Sequence, residues 1–272
     1  MSKILIAGDW HGNHVWAKKI IDVAHAEGID KMIQLGDFGV WPGKDGQEYL
    51  YILSRYLVKK NVKLYFVPGN HEDFNQIEDW EKNIPKNEDG HIEVLPNLFY
   101  AGKVNKWQWE GKVFASVGGA VSIDRKWRKL NESWWKQEQL TQEEEKAAIE
   151  LGKVDYLFSH DCPTYHPFRG LKVDYESELH RAKMNNVVRS LRPDFWFHGH
   201  MHEYSEYYFS HENGEVTKVF ALDADDKASD IPRLQRHTKV LDAALNETFT
   251  IDKLFNWYGR EFYFDRRHSK GE

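Results

Sequence analysis

The chain has 272 residues, 41% of them hydrophobic, and a formal net charge of -6 with both signs mixed along its length. That length buries a core in one large domain or two small ones, and no basic stripe runs along it to track a nucleic-acid backbone. No apolar run reaches membrane-spanning length, the N-terminus has no signal-peptide h-region, and the single cysteine, Cys162, excludes an intrachain disulfide, so a cytoplasmic protein is expected.

In chain order, Ile4 to Ala7 reads as a buried strand that ends in Asp9-Trp10-His11-Gly12-Asn13. Ala17, Ile20, Ile21 and Ala24 then recur at helical spacing, and Gly28 is a stop signal. Lys31 to Leu35 is a second strand, leading into Gly36-Asp37. Pro42, Gly43 and Gly46 read as a loop, and Tyr49, Leu50, Leu53, Tyr56 and Leu57 as a helix running to Lys60. Val62 to Val67 is a third strand, ending in Pro68-Gly69-Asn70-His71-Glu72. Strand, helix, strand, helix, strand predicts a parallel sheet with crossover helices.

The middle of the chain changes character. Leu98 to Tyr100, Lys106 to Trp109 and Val113 to Val117 are short β-like runs between glycines and suggest antiparallel strands. Ser122 to Gln139 is rich in tryptophan and charge without a clear period, and reads as an ordered surface excursion. Its Trp127, Trp134 and Trp135 either anchor that excursion or hang over a site, where Arg125 and Arg128 could meet a phosphate and a Trp could stack on a base. Thr141 with Glu144 forms a capping box for a helix to Leu151. Val154 to Phe158 is a strand delivering His160, Ser177 to Leu191 a helix, and Asp194 to Phe197 a strand delivering Gly199-His200-Met201-His202. Glu206 to Ser210 and Val216 to Leu222 form a hairpin around Asn213-Gly214. From Asp223 the chain is charged and irregular. The reading is therefore a domain over 1–222 and a C-terminal extension over 223–272 whose aromatic residues, from Leu241 to Phe264, pack on it.

Each of five β-like runs thus ends in Asp, Asn or His. The collected set is Asp9, His11, Asp37, Asn70, His160, His200 and His202. Mixed carboxylate, amide and imidazole ligands suit Mn2+ first, and Fe, Zn2+ or Co2+ as well, whereas calcium sites are built from oxygens alone. Seven side chains are too many for one ion and sufficient for two if one carboxylate bridges. Two ions about 3.5–4 Å apart hold a phosphate between them and make hydroxide available near neutral pH. His71, beside Asn70, is free to protonate the leaving oxygen.

The blocks Asp9-x-His11, Gly36-Asp37, Gly69-Asn70-His71-Glu72, His160 and Gly199-His200-x-His202 resemble, in order and spacing, the calcineurin-like metallophosphoesterases. The resemblance spans residues 9 to 202. It implies an α/β fold, a β-sandwich flanked by helices, with one metal on Asp9, His11, Asp37 and His202 and the other on Asp37, Asn70, His160 and His200. Asp37 would bridge and His71 would be the acid. One departure stands out: Phe38-Gly39-Val40-Trp41 follows Asp37 where the protein Ser/Thr phosphatases carry Val-Asp-Arg-Gly, which disfavours that branch.

The expected activity is hydrolysis of phosphomonoesters or phosphodiesters, nucleotides among them, by water attack without a covalent intermediate. The expected partner is a small phosphoester, with nucleic acid not favoured and no membrane. The rival readings are a nuclease of the same family and a scaffold that kept the fold and lost turnover. Each candidate also has a plainer reading: Asp37 a turn acid, Asn70 a turn cap, His160 a satisfied core histidine. Asn13 either reaches the phosphate or caps a helix. His198 reads as a packing residue and Cys162 as an inert thiol.

Overall fold

Strands that are apolar at every position need cover on both faces. That holds for β1 (Lys3–Ala7), β2 (Lys31–Gln34) and β3 (Lys63–Phe66), whose residues beyond the first lysine of each are buried. The computed structural model describes residues 3–168, 174–225, 236–243, 246–249, 254–255 and 261–262. Alternate side chains of these strands serve two cores. Leu5, Ala7, Met32, Leu64 and Phe66 face the helices, with Trp16, Ile20, Leu50, Leu53 and Ile77. Ile4, Ile6, Ile33, Tyr65 and Val67 face a second sheet.

The covering helices are α1 (His14–Ala26), α2 (Gly43–Lys60) and α3 (Phe74–Asn83). The α2 helix begins earlier than its leucine spacing indicates. Pro42 occupies the cap and Gly43 to Gly46 form the first turn instead of a loop, because Pro is compatible with a helix start. The short α3, capped by Asp73, has no counterpart in the sequence reading. β4 (Ile92–Leu95) and β5 (Leu98–Tyr100) follow, and β5 runs parallel to β3 in the first sheet. The antiparallel expectation for Leu98 to Tyr100 is met only by its pairing with β4. A three-residue strand carries no local signal of direction.

β6 (Val104–Trp109) and β7 (Lys112–Val117) are an antiparallel hairpin. Glu110 and Gly111 turn it, both at positive φ as a two-residue hairpin turn requires. Helix α4 (Gln142–Glu150) starts at the Thr141–Glu144 capping box, with both reciprocal hydrogen bonds formed. Then come β8 (Tyr156–Ser159), α5 (Tyr175–Leu191), β9 (Phe195–His198), β10 (Ser205–Ser210) and β11 (Val216–Ala221). These strands form the second sheet in the order β10-β11-β9-β8-β7-β6, with β7, β8, β9 and β11 parallel. Its outer face packs on α4 and α5 through Leu157, Trp196, Met184 and Val188.

The segment after Asp223 holds β12 (Thr238–Asp242), β13 (Glu247–Phe249) and the small pair β14 (Leu254–Phe255) and β15 (Glu261–Phe262). β12 lies antiparallel beside β1, so the first sheet reads β13-β12-β1-β2-β3-β5-β4. All five residues of β12 are buried. Irregularity of sequence hid this strand because three of its five residues are polar or charged. The rest of the C-terminal extension, including most of Leu241 to Phe264, and residues 169–173 lie outside the described residues. The architecture is the expected one, two mixed sheets face to face with helices outside. Among the described residues no helix is long and apolar enough to cross a membrane.

Candidate metal centre

Each sequence block lies just past a strand end: Asp9 past β1, Asp37 past β2, Asn70 past β3, His160 past β8 and His200 past β9. The structure brings all of them together. Ligand-capable atoms of Asp9, His11, Asp37 and His202 lie within 4.8 Å of one another, as do those of Asp37, His160 and His200, and each group could hold a metal ion. Asn70 Oδ1 is 3.0 Å from His160 Nε2 and so joins the second group. Asp37 alone belongs to both.

The backbone is forced at this point. His11 (φ 43°), Asp37 (49°), His200 (66°) and His202 (49°) all occupy the left-handed region. Residues other than glycine pay of order 1–3 kcal/mol each for such a conformation, and such strain gathers at functional sites. The motif glycines let the blocks interlock. A Cβ on Gly69 would meet Asp37 N at 2.1 Å, and one on Gly199 would meet Asp9 Oδ1 at 2.1 Å.

Hydrogen bonds fix which atoms face inward. Asp37 Oδ1 accepts from the backbone N–H of Asn70 (3.0 Å) and of His71 (2.9 Å). Asp37 Oδ2 is buried with no hydrogen-bond partner. The Nε2 atoms of His11 and His71 stand 3.5 and 3.9 Å from that oxygen. His160 Nδ1 donates to the Leu35 carbonyl (2.7 Å), which leaves Nε2 for the site. Asn70 Nδ2 donates to Ser122 Oγ (3.0 Å), and Ser122 donates its hydroxyl to Glu138 (2.7 Å). The Ser122 N–H donates to Glu138 as well (2.8 Å), and with the serine hydroxyl turned to that side chain its oxygen accepts from Asn70 Nδ2, which turns Oδ1 toward the site. Glu72 accepts from the N–H groups of Phe38 (2.6 Å), Gly39 (3.2 Å) and Val40 (2.8 Å), clamping the chain that follows Asp37.

Burial opposes charge on Asp9 and Asp37, yet the facing imidazoles outweigh it and hold both carboxyls below the usual range, Asp37 well below. Burial also opposes the imidazolium of His11 and of His160, but the carboxylates around them win and lift the two to about 11 and about 9. His200 loses its hydration without such a partner and falls to about 3. His71 is lowered, by burial first, with Asp37 pulling it up and Arg128 pushing it down. Burial raises Glu72 and Glu138 to about 7 against their hydrogen bonds.

The remaining candidates are placed as follows. Asn13 caps α1, accepting from Trp16 N–H (3.0 Å), while its Nδ2 donates to Asp225 (2.8 Å). Both ends of its amide are engaged. Arg125 is held by Asp174 (2.8 Å) and Glu176 (3.0 Å), and Arg128 by Asp124 (2.7 Å). Trp135 is buried in the helix-side core and Trp127 is 75% exposed. His198 is buried, with Nε2 2.8 Å from the Tyr207 hydroxyl. Sequence reasoning missed Ser122, Glu138 and Asp225. It quoted Glu72 within a block without giving it a task, although a glutamate next to a strand-end His was the available signal. It also missed Asp161, which is buried against His180 (2.7 Å) and Arg181 (3.3 Å) directly behind His160.

Fold and site together define a class: a two-sheet sandwich that gathers acids and imidazoles at the ends of its parallel strands. The sequence model of the calcineurin-like phosphoesterases matches residues 2–204, and the chain belongs to that metal-dependent family. It is 25% identical over 252 residues to the lariat debranching enzyme of Saccharomyces cerevisiae, covering 74% of this chain and 56% of that one. The chain thus spans about half the length of this curated relative. Among solved structures it is similar to a protein of Thermus thermophilus (TM-score 0.53, 16% identity, 92% of this chain and 98% of that one). A dimetal phosphatase from Danio rerio is comparably similar (TM-score 0.53, 12% identity, 88% and 91%). At these identities the structural likeness speaks for the fold alone.

Proposed function

We propose that this chain hydrolyses phosphoesters at a two-metal centre. Asp9, His11, Asp37 and His202 hold one divalent ion, and Asp37, Asn70, His160 and His200 hold the other. The observation that carries this reading is Asp37 Oδ2, a buried carboxylate oxygen without a hydrogen-bond partner that lies where the two ligand groups meet. The imidazoles of His11 and His71 face this oxygen at 3.5 and 3.9 Å without hydrogen-bonding it, and a divalent cation among these groups would satisfy it directly. The donor set is chemically apt, with hard carboxylates and borderline imidazoles suiting Mn2+ and equally Fe, Zn2+ or Co2+. When bound, two such ions supply charge stabilisation for the phosphoryl oxygens and a water acidified toward neutrality.

The chain's own residues do the rest. Asp37 Oδ1, tied to two backbone N–H groups, fixes the bridge. The Ser122–Glu138 relay keeps Asn70 Oδ1 inward. His71 is one-quarter exposed, completes neither ligand group, and stands beside Asp37. It donates the proton that the departing oxygen needs. The guanidinium groups of Arg125 and Arg128 are already engaged by carboxylates, so neither is assigned to the phosphate.

The test is a substrate panel with added Mn2+: p-nitrophenyl mono- and diesters, nucleoside phosphates and, given the debranching enzyme among its relatives, a lariat. Turnover that needs added metal and is lost in Asp37→Asn supports the reading. A protein that binds two ions and turns over nothing in the panel would favour the scaffold.

A further inference from the structure

The set Asp9, His11, Asp37 and His202 has a neighbour that no sequence block contains. His11 Nδ1 donates to Asp225 Oδ1 at 2.6 Å, and Asn13 Nδ2 donates to Asp225 Oδ2 at 2.8 Å. The backbone N–H of Asp225 donates to the Asp9 carbonyl at 2.7 Å, so the segment is pinned to the same strand end. Two N–H donors therefore converge on one side chain, and only a carboxylate offers an acceptor to each. With Nδ1 committed to Asp225, Nε2 is the ring nitrogen left for an ion, 3.5 Å from Asp37 Oδ2. His11 sits in the left-handed backbone region, φ 43°, and Asp225 is the side chain that grips its Nδ1. Asp225 also lies beyond residues 2–204, the stretch that matches the family.

We infer that Asp225 is a positioning residue for this metal set, fixing the tautomer and ring direction of His11 from the C-terminal segment. The inference rests on the proposed role of His11 as a ligand. Carboxylates that orient ligand histidines in this way change metal affinity about 10–100-fold when removed.

The experiment measures Mn2+ binding by calorimetry, with the melting temperature of the chelator-treated protein as a check on folding. Asp225→Asn keeps the shape but turns an acceptor into a donor, and the expected result is one ion bound about 10–100-fold more weakly by a protein that still melts cooperatively without metal. The double variant Asn13→Asp with Asp225→Asn restores the pattern. The introduced amide accepts from His11 and donates to the introduced carboxylate, whose other oxygen keeps the α1 cap. Most of the lost affinity should return. Wild-type binding by Asp225→Asn, or a loss that the double variant leaves in place, overturns the inference. His11→Ala separates the two readings: if it binds both ions like wild type, the ligand role fails and the inference with it, whereas if it alone loses an ion, only the inference about Asp225 fails.

Discussion

Gly69→Ala tests whether the blocks interlock as described. The added Cβ would lie 2.1 Å from Asp37 N and 2.2 Å from Asp37 Oδ1. Ordinary contact begins near 3.4 Å, so one of the two segments has to retreat by about 1.3 Å. Gly69 is not at positive φ, so the cost is steric. Overpacking of this kind costs about 1–3 kcal/mol. The retreat also stretches the bonds from Asn70 N and His71 N to Asp37 Oδ1, and losing one bond to a charged acceptor adds about 1.5–3 kcal/mol. We expect a destabilisation of about 3–5 kcal/mol. Metal–ligand distances hold within about 0.2 Å, so a retreat of about 1.3 Å takes Asp37 out of ligand reach, and even losing an outer-shell support costs about 10–100-fold in affinity. Mn2+ affinity should therefore fall by a factor of 100 or more, which is about 2.7 kcal/mol. Urea unfolding of the chelator-treated protein and calorimetric Mn2+ titration read the two effects separately. Gly46→Ala is the steric control: its Cβ would meet the Trp41 carbonyl at 1.9 Å, with no carboxylate among its three nearest atoms. It should lose stability and keep its metals. Wild-type metal affinity in Gly69→Ala, or an equal loss in Gly46→Ala, would refute the interlock.

Asp37→Asn should lower metal content in both groups and nearly abolish turnover, and metal analysis finding two ions with activity intact would remove the bridge. His71→Ala should keep its metals and lose about 10²–10⁴-fold on alkyl phosphoesters, but less on p-nitrophenyl esters, whose leaving group hardly needs a proton. Equal losses across a leaving-group series would end its role as acid. Asp161→Asn breaks a buried ion pair and should cost about 3–5 kcal/mol at neutral pH. Burial opposes the Asp161 carboxylate, but His180, His200 and Arg181 lower its folded pKa. Its stabilisation is thus complete above the unfolded value of about 3.9 and fades as pH falls below it. Urea midpoints should show the mutant gap shrinking at acid pH, and a gap that stays constant into acid would count against the pair.

Much of this was legible because the signals are local. The parallel strands are apolar on both faces, so Ile4 to Ala7 or Val62 to Val67 could be read directly, and each announces the block behind it. Thr141 and Glu144 spell a cap three residues apart, and Asn213-Gly214 spells a turn. What was hidden depends on distant partners. β12 is a strand because β1 accepts it, and Lys239 within it looks like a surface residue until its Nζ is seen on Glu206. Asp225 sits in an acidic run with no period, and its meaning comes from His11 and Asn13, more than two hundred positions earlier in the chain. The same holds for Glu138, whose task passes through Ser122 to Asn70. Arg125 illustrates the converse: a basic residue near a phosphate site invites a phosphate contact, while the fold had already supplied it with Asp174 and Glu176.

β1 leaves the ribosome more than two hundred residues ahead of β12, its antiparallel neighbour from Lys3 against Asp242 to Ala7 against Thr238. Until β12 arrives, one side of β1 presents unpaired N–H and C=O groups, an edge that any other extended chain can join. Every motif residue emerges during that interval, so a nascent chain can carry the whole set of blocks and still be unfinished. Closing so long a loop adds entropy cost only logarithmically, but contacts of such sequence separation slow folding and prolong exposure to aggregation. Refolding yield should accordingly fall with protein concentration, and a peptide spanning β12 supplied in excess should raise it.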